Sequence, residues 1–268
     1  MKLTVLVDNN TLIDQYYLAE PGVCYYIEDG DCRLLFDVGY SDVFIQNAKL
    51  MNIDLAAVST VAISHGHNDH TRGLKYLSER TDLNRVKLVA HPLAFKPKIF
   101  SGQPIGCPVS EQALRHSFYM ALTERPLKIS DNITFLGQIP RLNDFEARQV
   151  FGSVIDDERC YDDVVLDDSA LVYQCERGLF IITGCSHSGV CNIIEYAKQV
   201  CGDDRVIGVI GGFHLFELSA QLTETIHYFQ SNQINYLLPC HCVSFAAKAA
   251  IHQAIPIEEV GVGLTIEV

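Results

Sequence analysis

Ser64-His65-Gly66-His67-Asn68-Asp69-His70-Thr71-Arg72-Gly73-Leu74 places three imidazoles and one carboxylate within six residues. The apolar run Val58–Ile63 before it reads as a buried strand, so the cluster falls at a strand's C-terminal end. His65 and His67, two apart in extended backbone, project to the same side and can share one ion. Asp69 and His70 fall where the chain turns and can reach a second ion. Gly66 removes a side chain where the backbone must bend tightly. The alternative is a surface loop that is merely rich in histidine, and H-x-H-x-D-H spacing on a strand end argues against it.

Outward from this loop the chain alternates between short strands and helices. Leu3–Val7, Cys24–Glu28 and Arg33–Phe36 read as strands, with Asp29-Gly30-Asp31 as a hairpin turn. A helix follows from Ser41, and Val86–Ala90 is a further strand. The stretch 91–130, punctuated by Pro92, Pro97, Pro104, Pro108 and Pro126, reads as an irregular insertion. Beyond it, Ile133–Leu136, Ala170–Tyr173 and Leu179–Thr183 form a second β-layer. The chain then gives helices over about Val190–Val200, Ala220–Gln230 and Ser244–His252, with strands Val206–Ile210, Tyr236–Leu238 and Leu264–Val268 between and after them. Hairpins open each half, so an α/β (α+β) architecture with two facing sheets and helices outside fits better than a doubly wound sheet. This predicts a four-layer αβ/βα sandwich in a single domain, 1–268.

Composition narrows the function. The 268 residues are 48% hydrophobic and 20% charged, with a mean hydropathy of +0.12, as in a globular protein. A formal charge of −13 works against wholesale nucleic-acid binding. No apolar run approaches the roughly 20 residues of a membrane span, and the start does not form a signal-peptide core. A cytoplasmic protein is therefore expected. Ten cysteines without a C-x-x-C pair argue for reduced thiols rather than a disulfide framework or a zinc ribbon.

The signature loop resembles that of the metallo-β-lactamase superfamily. The likeness extends to Asp37 and Gly39, to Asp8-Asn9-Asn10-Thr11, to Gly137–Arg141 with Phe145-Glu146, to Asp167–Leu171, and to Thr183–Gly189. Together these resemble the branch of dihydropterin-ribofuranosylaminobenzene phosphate synthase-like proteins and metal-dependent hydrolases. The resemblance implies an αβ/βα sandwich with a two-metal site. His65, His67, Asp69 and His70 would be joined as ligands by His187, after one strand, and by His241, after another. Cys185 stands where many members carry a bridging aspartate, so it is a further possible ligand, although a packed core thiol is the alternative. Cys240 and Cys242 read as core thiols. Asp37 would orient a ligand histidine. His214 would be a general acid or a substrate contact, or else a structural histidine. His91, His116, His227 and His252 read as structural or solvated.

Two divalent ions sharing a bridging hydroxide would make a hydrolase, with Asp69 orienting the nucleophile and His214 protonating the departing group. Zinc suits the donors, and manganese, iron or nickel would fit them too. Arg72 and Arg141 offer guanidinium forks to a small phosphorylated or carboxylated substrate, and either is equally readable as a solvated surface residue. Two rival readings remain open: a transferase joining a dihydropterin to an aminobenzene riboside phosphate at the same metals, and a non-catalytic metal-binding sensor.

Overall fold

The computed structural model describes residues 1–79, 86–146, 149–156 and 159–268. The expected strand pattern appears first as a hairpin. Cys24–Asp29 pairs antiparallel with Cys32–Phe36 around Gly30-Asp31, where Gly30 takes the positive φ (57°) that such a turn requires. Among the described residues this hairpin lies in a seven-stranded sheet. Its order is Thr265–Glu267, Lys2–Val7, Cys24–Asp29, Cys32–Phe36, Thr60–Ala62, Lys87–Ala90 and Tyr119–Leu122. A six-stranded sheet runs Leu237–Pro239, Val206–Gly211, Gly178–Thr183, Ala170–Cys175, Ile133–Phe135 and Leu127–Lys128.

Alternation along each strand explains the layers. Leu3, Val5, Tyr25, Ile27, Leu34 and Phe36 point inward against Phe135, Leu171, Phe180, Ile182 and Ile210 of the other sheet. Leu6, Tyr26, Leu35, Val61 and Leu88 point outward, under Phe44 and Ala48 of the helix Val43–Leu50. On the far side, Val172, Leu179, Ile181 and Val209 carry the helices Val190–Cys201, Ala220–Ser231 and Phe245–Ala254. Both sheets are buried on both faces. That accounts for the near-continuous apolar runs in their parallel strands and gives the four-layer sandwich.

The stretch 91–130 is more regular than its prolines suggest. It holds a turn of 3-10 helix, Pro92–Phe95, capped by His91, and a helix, Glu111–Ser117, capped by Ser110. Tyr119–Leu122 joins the first sheet parallel to Lys87–Ala90. Each piece is too short to show a readable period. Among the described residues Arg159–Asp162, Ser153–Asp156, Lys98–Phe100 and Gln103–Pro104 pair in that order in a four-stranded sheet. Among the described residues no helix is long and apolar enough to cross a membrane.

Candidate metal centre

The signature loop leaves the strand Thr60–Ala62 and enters a one-turn helix, Asn68–Thr71, with His67 at its N-terminal flank. Gly66 is required by close approach, because a Cβ there would lie 2.1 Å from the Ala94 carbonyl oxygen. Nε2 of His65 and Nδ1 of His67 face each other at 3.0 Å. His187, on the loop after Gly178–Thr183, brings its ring within 4.8 Å of His65 and 4.9 Å of His67, centroid to centroid. A second group of donors lies beside the first. Asp69 Oδ2 is 3.5 Å from His70 Nε2 and 3.3 Å from Nε2 of His241, which follows the strand Leu237–Pro239. The six N/O residues expected from the sequence therefore meet at one edge of the sandwich.

Neighbouring groups fix these rings. Asp37 Oδ2 is 2.7 Å from His70 Nδ1 and accepts from Ser64 Oγ at 2.7 Å, while Oδ1 accepts from the Ser64 N–H at 2.7 Å. Asn9 Oδ1 lies 2.9 Å from His241 Nδ1, and the buried Asp8 carboxylate accepts from the His241 N–H at 3.0 Å. Asp37, Ser186, His214 and His241 all have positive φ, between 50° and 61°. Left-handed backbone at four non-glycine residues costs energy that the surrounding contacts must sustain, and it gathers at this edge.

At His65, His67 and His187 the electrostatics fit cation binding. Burial, reinforced by neighbouring imidazoles, pushes His65 and His187 well below the usual histidine range, and burial with Lys98 brings His67 down to about 4. Neutral imidazole is the form that ligates metal. Burial alone would also lower His70, but the Asp69 and Asp37 carboxylates overcome it and raise it to about 9. Against the opposing effect of burial, His70 and His241 hold Asp69 well below the usual carboxylate range. Both ring nitrogens of His187 and Nε2 of His67 are buried without a hydrogen-bond partner among the described residues. Such groups are costly unless a ligand satisfies them. Imidazole nitrogens, a carboxylate and a nearby thiol suit zinc-type ions, so the residues present fit divalent metal.

Several supporting residues escaped a role in the sequence reading. Lys98 Nζ is fully buried between Asp167 Oδ1 (2.7 Å) and Asp163 Oδ2 (3.0 Å), and Asp163 Oδ2 is 4.0 Å from His67 Nε2. The other oxygen of Asp167 accepts from the Gly66 N–H at 2.7 Å. Asp168 accepts from the N–H and hydroxyl of Ser188, and the Ser169 N–H donates to Ser64 O at 2.8 Å. The segment Asp167–Ser169 thus clips the signature loop to the His187 loop. Its sequence signals are an acidic pair before a strand and its place among the segments that carry the resemblance.

The remaining expected residues lie beside the cluster or apart from it. The ring of His214 lies 4.4 Å from that of His187, between Phe151 and Phe216. Burial pushes it down to about 4. Arg72 stacks on the Tyr40 ring at 4.3 Å and lines a cavity of about 390 Å³ with Lys75. That cavity shares Asn68 with one of about 370 Å³ lined by His67 and Asp69. Arg141 is exposed, donates to the Val164 carbonyl, and is not brought to the cluster. His91 bonds the Leu93 N–H and Gln138, a structural role. Cys240 is a core thiol beside Tyr25 Oη at 3.1 Å. Cys242 is only half-buried, with its sulfur 3.5 Å from the Cys185 carbonyl, so it belongs to the rim of the centre rather than to the core.

Comparisons with known proteins agree with this fold. The family model of the metallo-beta-lactamase superfamily matches residues 18–110. An uncharacterized protein of Methanocaldococcus jannaschii is 34% identical over 255 residues, covering 94% of each chain. The same organism's 7,8-dihydropterin-6-methyl-4-(beta-D-ribofuranosyl)-aminobenzene-5'-phosphate synthase is 28% identical, covering 92% of this chain and 89% of that one. The crystal structure of Tm1679, described as a metal-dependent hydrolase of the beta-lactamase superfamily, superposes with a TM-score of 0.85 at 28% identity, covering 100% of this chain and 99% of that one. With its sandwich, its histidine-rich loop and relatives that span nearly its whole length, the chain belongs to the metallo-beta-lactamase superfamily.

Proposed function

We propose that the protein is a dinuclear metal-dependent hydrolase acting on a small phosphorylated or carboxylated molecule. The observation that carries this reading is the meeting of two donor groups, His65/His67/His187 and Asp69/His70/His241, with His187 buried and without a hydrogen-bond partner among the described residues. When bound, the two ions supply Lewis acidity and a water acidified toward neutral pH. Asp69 is braced by His70 and His241 and orients the attacking water. A neutral His214 keeps one N–H that gives a hydrogen bond to the charge developing on the departing group. The aromatic rings of Phe151 and Phe216 flank His214. Arg72 and Lys75, one cavity beyond Asp69, supply positive charge for an anionic substrate.

The test is a panel of phosphomonoesters, phosphodiesters, carboxylate esters, lactones and thioesters, with matched neutral analogues, offered to the metal-loaded chain. Turnover of one anionic class, abolished by Asp69→Ala, is expected. Bound metal without turnover of any class contradicts the hydrolase.

A second reading rests on the 28% identical synthase. The chain would then join a dihydropterin to an aminobenzene riboside phosphate at the same centre. It requires saturable pterin binding by the metal-loaded chain, which equilibrium dialysis measures.

A further inference from the structure

We propose that the thiolate of Cys185 is a ligand shared by both ions, a sulfur bridge at the middle of the centre. This rests on the dinuclear reading above and deepens it. The Cys185 sulfur belongs to two donor groups at once. In one it lies with Asp69, His70 and His241, in the other with His65 and His187, and within each group the ligand atoms are all within 4.8 Å of one another. Its distance to His70 Nε2 is 3.2 Å. No other residue of either group is common to both.

The local backbone is built to bring it there. Gly184 lies so close to the signature loop that a Cβ would fall 2.1 Å from Ser64 Oγ. Ser186 is left-handed at φ 61°, and its hydroxyl donates to the Gly212 carbonyl at 2.6 Å. This anchored kink lets Cys185 and His187 approach the same cluster. The setting differs from that of an inert core thiol such as Cys240, whose sulfur meets the Tyr25 hydroxyl. An independent pointer to a ligand here is His187, whose two buried ring nitrogens have no partner among the described residues.

On binding, the S–H proton leaves to water, and two lone pairs of the sulfur form one bond to each ion. Soft sulfur at this position selects zinc, cobalt or iron over manganese, which prefers all-oxygen donors. The centre is therefore a zinc-type site in which one polarisable ligand couples the two ions.

X-ray absorption at the zinc edge of the wild-type chain carrying two zinc ions tests the bridge without a mutation. The expected result is about one sulfur per zinc at about 2.3 Å. About half a sulfur per zinc would mean a terminal ligand, and none would mean a core thiol; either overturns the proposal while leaving the dinuclear reading intact. A chain that takes up no transition metal contradicts both. Cobalt loading identifies the residue: the thiolate-to-cobalt charge-transfer band is lost in Cys185→Ser and kept in Cys242→Ser, with circular dichroism reporting the fold. A band that follows Cys242 instead overturns the assignment.

Discussion

Asp37 Oδ2 stands 2.7 Å from His70 Nδ1, and the same carboxylate holds the Ser64 hydroxyl and backbone N–H, so one buried acid fixes both the ring and the loop that carries it. A histidine held this way keeps its other nitrogen aimed at the ion. Asp37→Ala is expected to weaken metal affinity about 10–100-fold. Competition with a chromophoric chelator measures it, and wild-type affinity in the variant contradicts the role.

Lys98 is a buried cation whose partners are Asp163 and Asp167. Removing one member of a buried ion group leaves uncompensated charge and costs about 3–5 kcal/mol. Lys98→Met is therefore expected to lower unfolding stability by that amount. Pairing it with Asp167→Asn should recover part of the loss. Urea denaturation of both variants checks this, and additive losses contradict the coupling.

Glu146 caps the helix Val190–Cys201 from a distant part of the chain, accepting from the Cys191 N–H at 3.0 Å and the Asn192 N–H at 2.9 Å. Burial raises its carboxyl above the ordinary value of 4.5, although these hydrogen bonds oppose it. The folded state then holds this proton more tightly than the unfolded chain. Its contribution is fully present below the unfolded value and is lost as pH rises through the folded one. Glu146→Gln should cost about 1–2 kcal/mol through the weakened cap and flatten that part of the pH profile above 4.5. Thermal melts across pH 4–7 read both effects, and an unchanged slope contradicts the assignment.

His214 lies beside His187 without belonging to either donor group. His214→Ala is expected to lower turnover by about 10²–10³-fold, as for loss of a hydrogen-bond donor to developing charge. Metal content, read by mass spectrometry alongside the kinetics, should not change. Loss of metal in the variant would make His214 a ligand instead.

The sandwich was legible because its strands are buried on both faces. Runs such as Leu179–Thr183 and Val206–Ile210 announce themselves by apolarity, and the histidines fall at their ends. The strand Lys98–Phe100 and its partners were not legible, because at two to four residues they are too short to show a period. Lys98 reads as a surface lysine until the fold brings Asp163 and Asp167 to it from more than sixty residues away. Asp8 and Asn9 are equally remote from His241 in the chain, over two hundred residues before it. Residues that orient ligands act through tertiary contact, and spacing along the sequence carries no trace of it. Arg141 shows the converse: a segment shared with a family pointed to the substrate, and its guanidinium turns to the Val164 carbonyl.

A pair of ions held by two donor groups is read out by metal stoichiometry. Mass spectrometry of the chain saturated with zinc and freed of excess should give two ions per chain. His65→Ala and His241→Ala should each reduce that to about one, because each removes a ligand from a different group. A single ion in the wild-type chain, or two ions retained in both variants, would contradict the account.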